Sequence, residues 1–301
     1  MKRREFIKTA MAAGGALTLS TSESKGEQAA KPAGKYHLRY APRLDFLRDQ
    51  LTIPQRLETF AAHGFDAIEY NGLMSHPLKE VEEIRKKMDS LGIGMGIFVA
   101  NPAGWRTAGL VDPKQRDAFL EQLKQAIEYH KVIGNRQATV ITGNEIPRAP
   151  RGVQRRNVIE GLKRAAELLE KTELTIVIEP LNILVDHPGY FLVHSDEAAE
   201  IMAAVNSPHV KILFDIYHQQ ISEGNLINNI RAYWDYIGYF QVGDVPGRKE
   251  PGTGEINWRN VFKAIYDNGY RGILGMEHGL SVPGMEGLLK CFEEYKKADT
   301  W

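Results

Sequence analysis

The chain has 301 residues, 43% of them hydrophobic and 25% charged, the composition of a soluble globular protein. Lys plus Arg and Asp plus Glu each number 38, and this zero net charge disfavours a nucleic-acid binder, which normally carries a basic excess. A single cysteine, Cys291, excludes an internal disulfide and any cysteine-based metal cluster.

The N-terminus begins with a charged stretch containing the pair Arg3-Arg4 and then Phe6-Ile7-Lys8, followed by a mild apolar run from Thr9 to Leu17. A charged start, a short apolar segment and a Ser/Gly-rich continuation form an export signal, here similar to the twin-arginine type, with the periplasm as the expected destination. The run is too short to span a bilayer, which needs about 20 residues, so no stable membrane anchor is expected. Residues 1–34 are read as signal and linker, and residues 35–301 as one catalytic barrel domain.

From Lys35 onward, short β-rich runs alternate with helical patterns. The strands are expected at Leu38–Ala41, Ala67–Tyr70, Gly94–Val99, Ala138–Thr142, Thr175–Glu179, Lys211–Asp215, Ile237–Val242 and Ile273–Glu277. Between them, apolar residues recur at three- and four-residue spacing, as in Val81-Ile84-Met88-Leu91, Phe119-Leu123-Ile127 and Val158-Leu162-Ala165-Leu168-Leu169, which is the helical period. Gly64, Gly92 and Gly269 stand where a left-handed helix cap would precede the next strand. Eight alternating units over about 250 residues predict a parallel (β/α)8 TIM barrel. A doubly wound sheet would want a glycine-rich phosphate loop after the first strand, and Ala41-Pro42-Arg43-Leu44-Asp45 is not one.

A TIM barrel builds its active site where strands end. Glu69, Glu179, Asp215, Gln241 and Glu277 each follow an apolar run at a predicted strand end. Strands five to eight thus present three carboxylates and one amide at one mouth. Their mutual repulsion is relieved by a divalent cation, and oxygen-dominated ligands suit Mg2+ or Mn2+ better than zinc. Arg248 offers a bidentate fork for a substrate carboxylate or sugar oxygen, with an ion pair to nearby Glu250 as the alternative. Glu69 reads equally as a site residue or a buried salt-bridge partner. His187, in the loop after strand five, could line the pocket, and Trp105, after strand three, could wall it. His278 follows a ligand candidate and so points away from the site.

The stretches Ile-Glu179-Pro-Leu-Asn, Phe-Asp215-Ile-Tyr-His218, Gln241-Val-Gly-Asp-Val-Pro-Gly-Arg248 and Gly-Thr-Gly-Glu255-Ile-Asn-Trp258 resemble the xylose-isomerase-like TIM barrels, and within them the hydroxypyruvate isomerases. The resemblance covers residues 35 to 297. It implies that Glu179, Asp215, Gln241 and Glu277 ligate one metal ion, that Glu179 and Glu277 double as the acid/base pair, and that His218 and Arg248 contact substrate. Related ketose 3-epimerases carry His at the position of Gln241. The export signal, the loop Ile141-Thr-Gly-Asn144-Glu145 and the run Glu277-His278-Gly279 depart from the hydroxypyruvate isomerase pattern.

The expected chemistry is enediolate proton transfer on a small hydroxy-carbonyl compound or sugar, such as conversion of hydroxypyruvate to tartronate semialdehyde. A sugar epimerase, including a ketose 3-epimerase, or a lyase would share the first step. A phosphodiesterase like the AP endonucleases would want several metals and many His ligands, and only His218 and His278 stand near strand ends. A non-catalytic sugar-binding protein would need no acid/base pair. Self-association into a homo-oligomer is left open.

Overall fold

A computed structural model describes residues 36–105 and 109–301, with only the backbone of Trp105 described. The signal and linker expected over residues 1–34 lie outside the described residues. Eight strands alternate with helices: β1 (Arg39–Pro42), α1 (Ile53–Ala62), β2 (Ala67–Ile68), α2 (Leu78–Leu91), β3 (Gly94–Met95), α3 (Arg116–Ile133), β4 (Gln137–Val140), α4 (Arg151–Leu169) and β5 (Thr175–Ile178). They continue with α5 (Ser195–Val205), β6 (Val210–Asp215), α6 (Ile216–Ser222), α7 (Leu226–Ala232), β7 (Ile237–Gln241), α8 (Trp258–Asp267), β8 (Ile273–Met276) and α9 (Gly284–Ala298).

Every ladder is parallel. Six strands run in the order β1-β8-β7-β6-β5-β4, and β2 pairs with β3. Two isolated parallel bridges close the ring, Arg43 with Glu69 between β1 and β2, and Val99 with Thr139 between β3 and β4. Hydrogen bonds mark both seams: Leu44 N to Glu69 O at 2.7 Å and Ala100 N to Thr139 O at 2.8 Å. The result is the xylose-isomerase-like (β/α)8 architecture. The regular parts of β2 and β3 are shorter than the sequence pattern suggests. Pairing still runs on through Gly96 N to Ile68 O at 2.7 Å and Tyr70 N to Ile97 O at 3.2 Å. Gly96 is where the Tyr239 hydroxyl comes in, 2.4 Å from where a Cβ would stand, which leaves no room for a side chain there.

The helices bury the faces that their periodicity marks. Val81, Ile84 and Met88 of α2, Phe119, Leu123 and Ile127 of α3, and Val158, Leu162, Ala165 and Leu169 of α4 all lie in the core. Gly64, Gly92 and Gly269 all adopt positive φ, at 86°, 67° and 91°, a conformation open to glycine without steric cost. Inside the barrel, Ile97, Val177, Leu213 and Tyr239 form a separate, fully buried cluster against Ile273. Strand side chains alternate faces with period two. The inward positions of this layer are therefore continued two residues on by Glu179, Asp215 and Gln241, and by Gly275 and then Glu277 on β8. That parity, set by the apolar filling, aims the polar groups at the mouth.

Candidate active site

Five acidic or amide side chains converge at the C-terminal ends of the strands. Glu69, Glu179, Asp215 and Gln241 are buried; Glu277 keeps 17% of its side-chain surface exposed and so stands nearest the opening. The register pairs Asp215 with Gln241 and Gln241 with Gly275, which sets the β6, β7 and β8 contributions side by side. The Asp215 carboxylate also caps α6, accepting the Tyr217 N–H at 2.9 Å.

Arg248 neutralises part of this cluster. Its Nη2 donates to Asp215 Oδ2 and to Glu277 Oε2, both at 2.8 Å, and its Nε to the Glu277 backbone oxygen at 3.1 Å. The guanidinium lies over the Tyr217 ring, 4.8 Å from its centroid. The alternative partner, Glu250, instead accepts from Ser281 N at 2.9 Å and from the Ser281 hydroxyl. Arg248 stands on the loop between β7 and α8, which is organised around one buried carboxylate. Asp244 accepts the backbone N–H groups of Val245, Gly252, Gly254 and Ile256 at 2.9–3.3 Å. Gly254 is obligatory there, because a Cβ would lie 1.9 Å from the Val245 oxygen.

Burial dominates the electrostatics. Glu179 is pushed well above the usual carboxylate range by desolvation, then by the charges of Glu277 and Asp215. Asp215 is pushed up to about 7 by desolvation, against the opposing pull of Arg248 and with a further push from Glu277. Glu69 is likewise raised by burial and by Glu277. The Arg248 guanidinium is disfavoured by its own desolvation, but Glu277, Asp215 and Glu179 outweigh that and hold it charged.

His218, on α6, is buried with Nε2 3.6 Å from Asp215 Oδ2 and 3.9 Å from Glu179 Oε1. Burial, then Arg248 and His187, push its pKa well down, so it is neutral. Its tautomer follows from Asn182. The Asn182 Oδ1 accepts from Val185 N at 2.9 Å and Asp186 N at 3.1 Å, so its Nδ2 faces His218 Nδ1 at 2.7 Å as a donor. The Asn182 backbone N–H points at the same atom from 3.3 Å. Nδ1 therefore accepts and Nε2 carries the proton, making His218 a hydrogen-bond donor toward the carboxylates.

Glu179, Asp215 and His218 form a buried triad that could hold a metal ion, with potential ligand atoms within 4.8 Å of one another. The His218 tautomer leaves ligation to the oxygens. Gln241 adds one more: its Oε1 is buried and accepts no hydrogen bond, an arrangement that costs stability unless something positive meets the oxygen. Several buried acids beside an orphaned amide oxygen are the donor set a hard divalent cation fits.

The other sequence-predicted residues fall around this centre. Glu69 accepts from Gln241 Nε2 at 2.8 Å and from the Tyr239 hydroxyl at 3.3 Å. His187 is half-buried with its ring 5.3 Å from that of His218. Trp105 ends the 3-10 turn Pro102–Trp105 after β3, and its side chain lies outside the described residues. His278 points out of the barrel, bonded to the Tyr295 hydroxyl at 3.0 Å. The residue-by-residue reading missed Asn71, which donates to Glu277 Oε1 at 2.6 Å, as well as Asn182, Asp244 and Gly275. Asn71 shares the inward parity of Glu69, a signal that was available. Asn182 and Asp244 lie inside the quoted motifs, but their roles depend on loop closure.

The xylose isomerase-like TIM barrel family matches residues 57–294, and the chain belongs to it. It is 32% identical to a putative hydroxypyruvate isomerase of Homo sapiens, covering 83% of this chain and 93% of that one. It is 33% identical to a 2-oxo-tetronate isomerase of Cupriavidus necator, over 80% and 92% of the two chains. With the hydroxypyruvate isomerase of Escherichia coli it shares 30% identity over 80% and 93%. Among solved structures, a Brucella melitensis protein described as an AP endonuclease, family 2, superposes with a TM-score of 0.77 at 26% identity, covering 83% of this chain and 96% of that one.

Proposed function

We propose that this isomerase interconverts a small hydroxy-carbonyl compound of the hydroxypyruvate type by moving a proton between adjacent carbons. The carrying observation is the placement of Glu179 and Glu277 on the non-neighbouring strands β5 and β8, flanking a centre that also holds Asp215, Gln241 and Arg248. The names of relatives at 30–33% identity support the reaction class.

In this reading Glu179, Asp215, Gln241 and Glu277 hold one divalent cation, Mn2+ or Mg2+. Such an ion supplies polarisation of the substrate's carbonyl and neighbouring hydroxyl oxygens, which acidifies the C–H between them. The chain's own groups do the rest. One of Glu179 and Glu277 takes that proton as a carboxylate, the other returns a proton at the adjacent carbon, and the hydroxyl proton passes to the former carbonyl oxygen, which completes the isomerisation. Desolvation has raised Glu179 well above the usual range, the direction that suits a carboxyl group for proton transfer near neutral pH. His218 donates its Nε2–H toward a substrate oxygen beside Asp215. Arg248, held over Tyr217, faces the position of a substrate carboxylate, and His187 closes the rim.

The test is a panel of hydroxy-carbonyl substrates with added Mn2+ in deuterium oxide, read by mass spectrometry. A product isomeric with the substrate, heavier only by the solvent deuterium it carries, is expected. A leaving group lost in the product would move the reaction to a lyase, and neither exchange nor product on any member would overturn the reading. Export of the mature chain through a twin-arginine route is part of the same proposal, supported by Arg3-Arg4 and the short apolar run after them.

A further inference from the structure

We infer that Glu69 is a positioning residue, whose carboxyl group determines which end of the Gln241 amide faces the cation-binding centre. This rests on the metal-dependent reading above.

The two residues stand at the ends of β2 and β7, which are not neighbours in the sheet, and they meet through the barrel interior. Glu69 Oε1 accepts Gln241 Nε2–H at 2.8 Å, and Oε2 accepts the Tyr239 hydroxyl at 3.3 Å. An amide can present nitrogen or oxygen to a neighbour; a carboxylate only accepts and so selects nitrogen. A protonated Glu69 that carries its hydrogen on Oε2, the oxygen facing the Tyr239 hydroxyl, still accepts from the amide through Oε1. Gln241 Oε1 is thereby turned away from Glu69, and it is buried without a hydrogen-bond partner. The register sets Gln241 next to Asp215, the carboxylate most deeply buried among the proposed ligands.

Gly275 supplies an independent sign that the chain reserves this space. It lies inside β8, where glycine weakens a strand, and a Cβ there would stand 1.6 Å from Glu69 Oε2 and 3.3 Å from Gln241 Cγ. The missing side chain on β8 is what lets a carboxyl group reach across from β2 to β7. Groups that orient a metal ligand from behind typically change metal affinity 10–100-fold when replaced.

The experiment is Mn2+ titration of the full chain after chelator treatment, followed by electron paramagnetic resonance of the free ion, with thermal melts of the metal-free proteins alongside. Glu69→Gln is nearly isosteric but offers an N–H to Gln241 Oε1, so it allows the amide to turn. We expect Mn2+ affinity to fall about 10–100-fold. Combining Glu69→Gln with Gln241→Glu reverses the polarity of the pair: the donor now sits on β2, and the new carboxylate keeps one oxygen toward the centre. Affinity should return to within about threefold of the parent, whereas Gln241→Glu alone, which gains the same carboxylate but sets it against Glu69, should stay below the double variant; a purely space-filling role for Glu69 does not produce that order. Unchanged affinity in Glu69→Gln, or a double variant no better than the single one, overturns the assignment of Glu69 alone. A parent chain that binds no Mn2+ overturns the metal-dependent reading and this inference with it.

Discussion

Replacing Asp215 by Asn should make the metal-free protein more stable at neutral pH while removing its response to cations. Asp215 is fully buried and its pKa is pushed from 3.8 to about 7. The folded state therefore holds a proton that the unfolded chain has already released between these values, and stability falls as pH rises through that window. The rise from 3.8 to about 7 corresponds to about 4 kcal/mol lost by pH 7.5. The Asn side chain carries no charge to desolvate and keeps an oxygen for the Tyr217 N–H; the attraction of Arg248 is already contained in the Asp215 pKa, which that guanidinium pulls down against desolvation. The gain at pH 7.5 is therefore at most about 4 kcal/mol. Urea unfolding in chelator at pH 5 and 7.5 measures it: the parent should weaken between the two pH values and Asp215→Asn should weaken less. With Mn2+ at about 100 times its Kd the parent should regain about 2.7 kcal/mol, and the variant little of it. A parent whose stability does not fall from pH 4 to 7, or a variant that is weaker in chelator yet still stabilised by Mn2+, would refute the reasoning.

Glu179→Gln and Glu277→Gln should each lower turnover about 10²–10⁴-fold while retaining part of the metal. One of them should still exchange the substrate α-proton with solvent; near-normal activity in both would dismiss the acid/base pair. Asn182→Asp replaces the donor facing His218 Nδ1 by an acceptor, so ¹⁵N chemical shifts should show His218 leaving the neutral Nε2–H form, and an unchanged spectrum would contradict the tautomer. Gly254→Ala places a methyl group 1.9 Å from the Val245 oxygen and should cost stability and displace Arg248, seen as a raised KM together with a lowered melting temperature. Arg3→Lys with Arg4→Lys should retain the protein in the cytoplasm with residues 1–34 uncleaved, whereas undiminished export would argue against the twin-arginine route.

The barrel was legible because its two periods are local. Apolar runs ending in an oxygen-bearing side chain marked β5 to β8, and three- and four-residue spacing marked α2, α3 and α4. The parity that aims Glu179, Asp215 and Gln241 inward follows from strand geometry and could be read from residue numbers alone. What bridges the strands could not. Arg248 had a plausible neighbour in Glu250, close by in the sequence, and only the fold of its loop brings it to Asp215 and Glu277 instead. Glu69 was placed at the mouth, but its partner lies across the ring, at a distance fixed by barrel curvature and by the absence of a side chain at Gly275. Asn182 acts through an imidazole 36 residues away, and nothing in a single chain's spacing announces such a pairing.

The Asp244 loop carries a consequence for how this site tolerates change. Its carboxylate grips main-chain N–H groups, which every residue except proline possesses. The path of residues 245–256 is thus wired largely through the backbone, with the Thr253 hydroxyl adding a bond to the Glu250 oxygen at 2.7 Å, and a side chain such as that of Lys249 is a passenger on a shape it does not determine. Substitutions of such a side chain, unlike those of Gly254, can reshape the rim without shifting the guanidinium that balances the acids beneath. Charge compensation and substrate preference are in this way written in separate alphabets on a single stretch of chain, one in amide groups and the other in side chains.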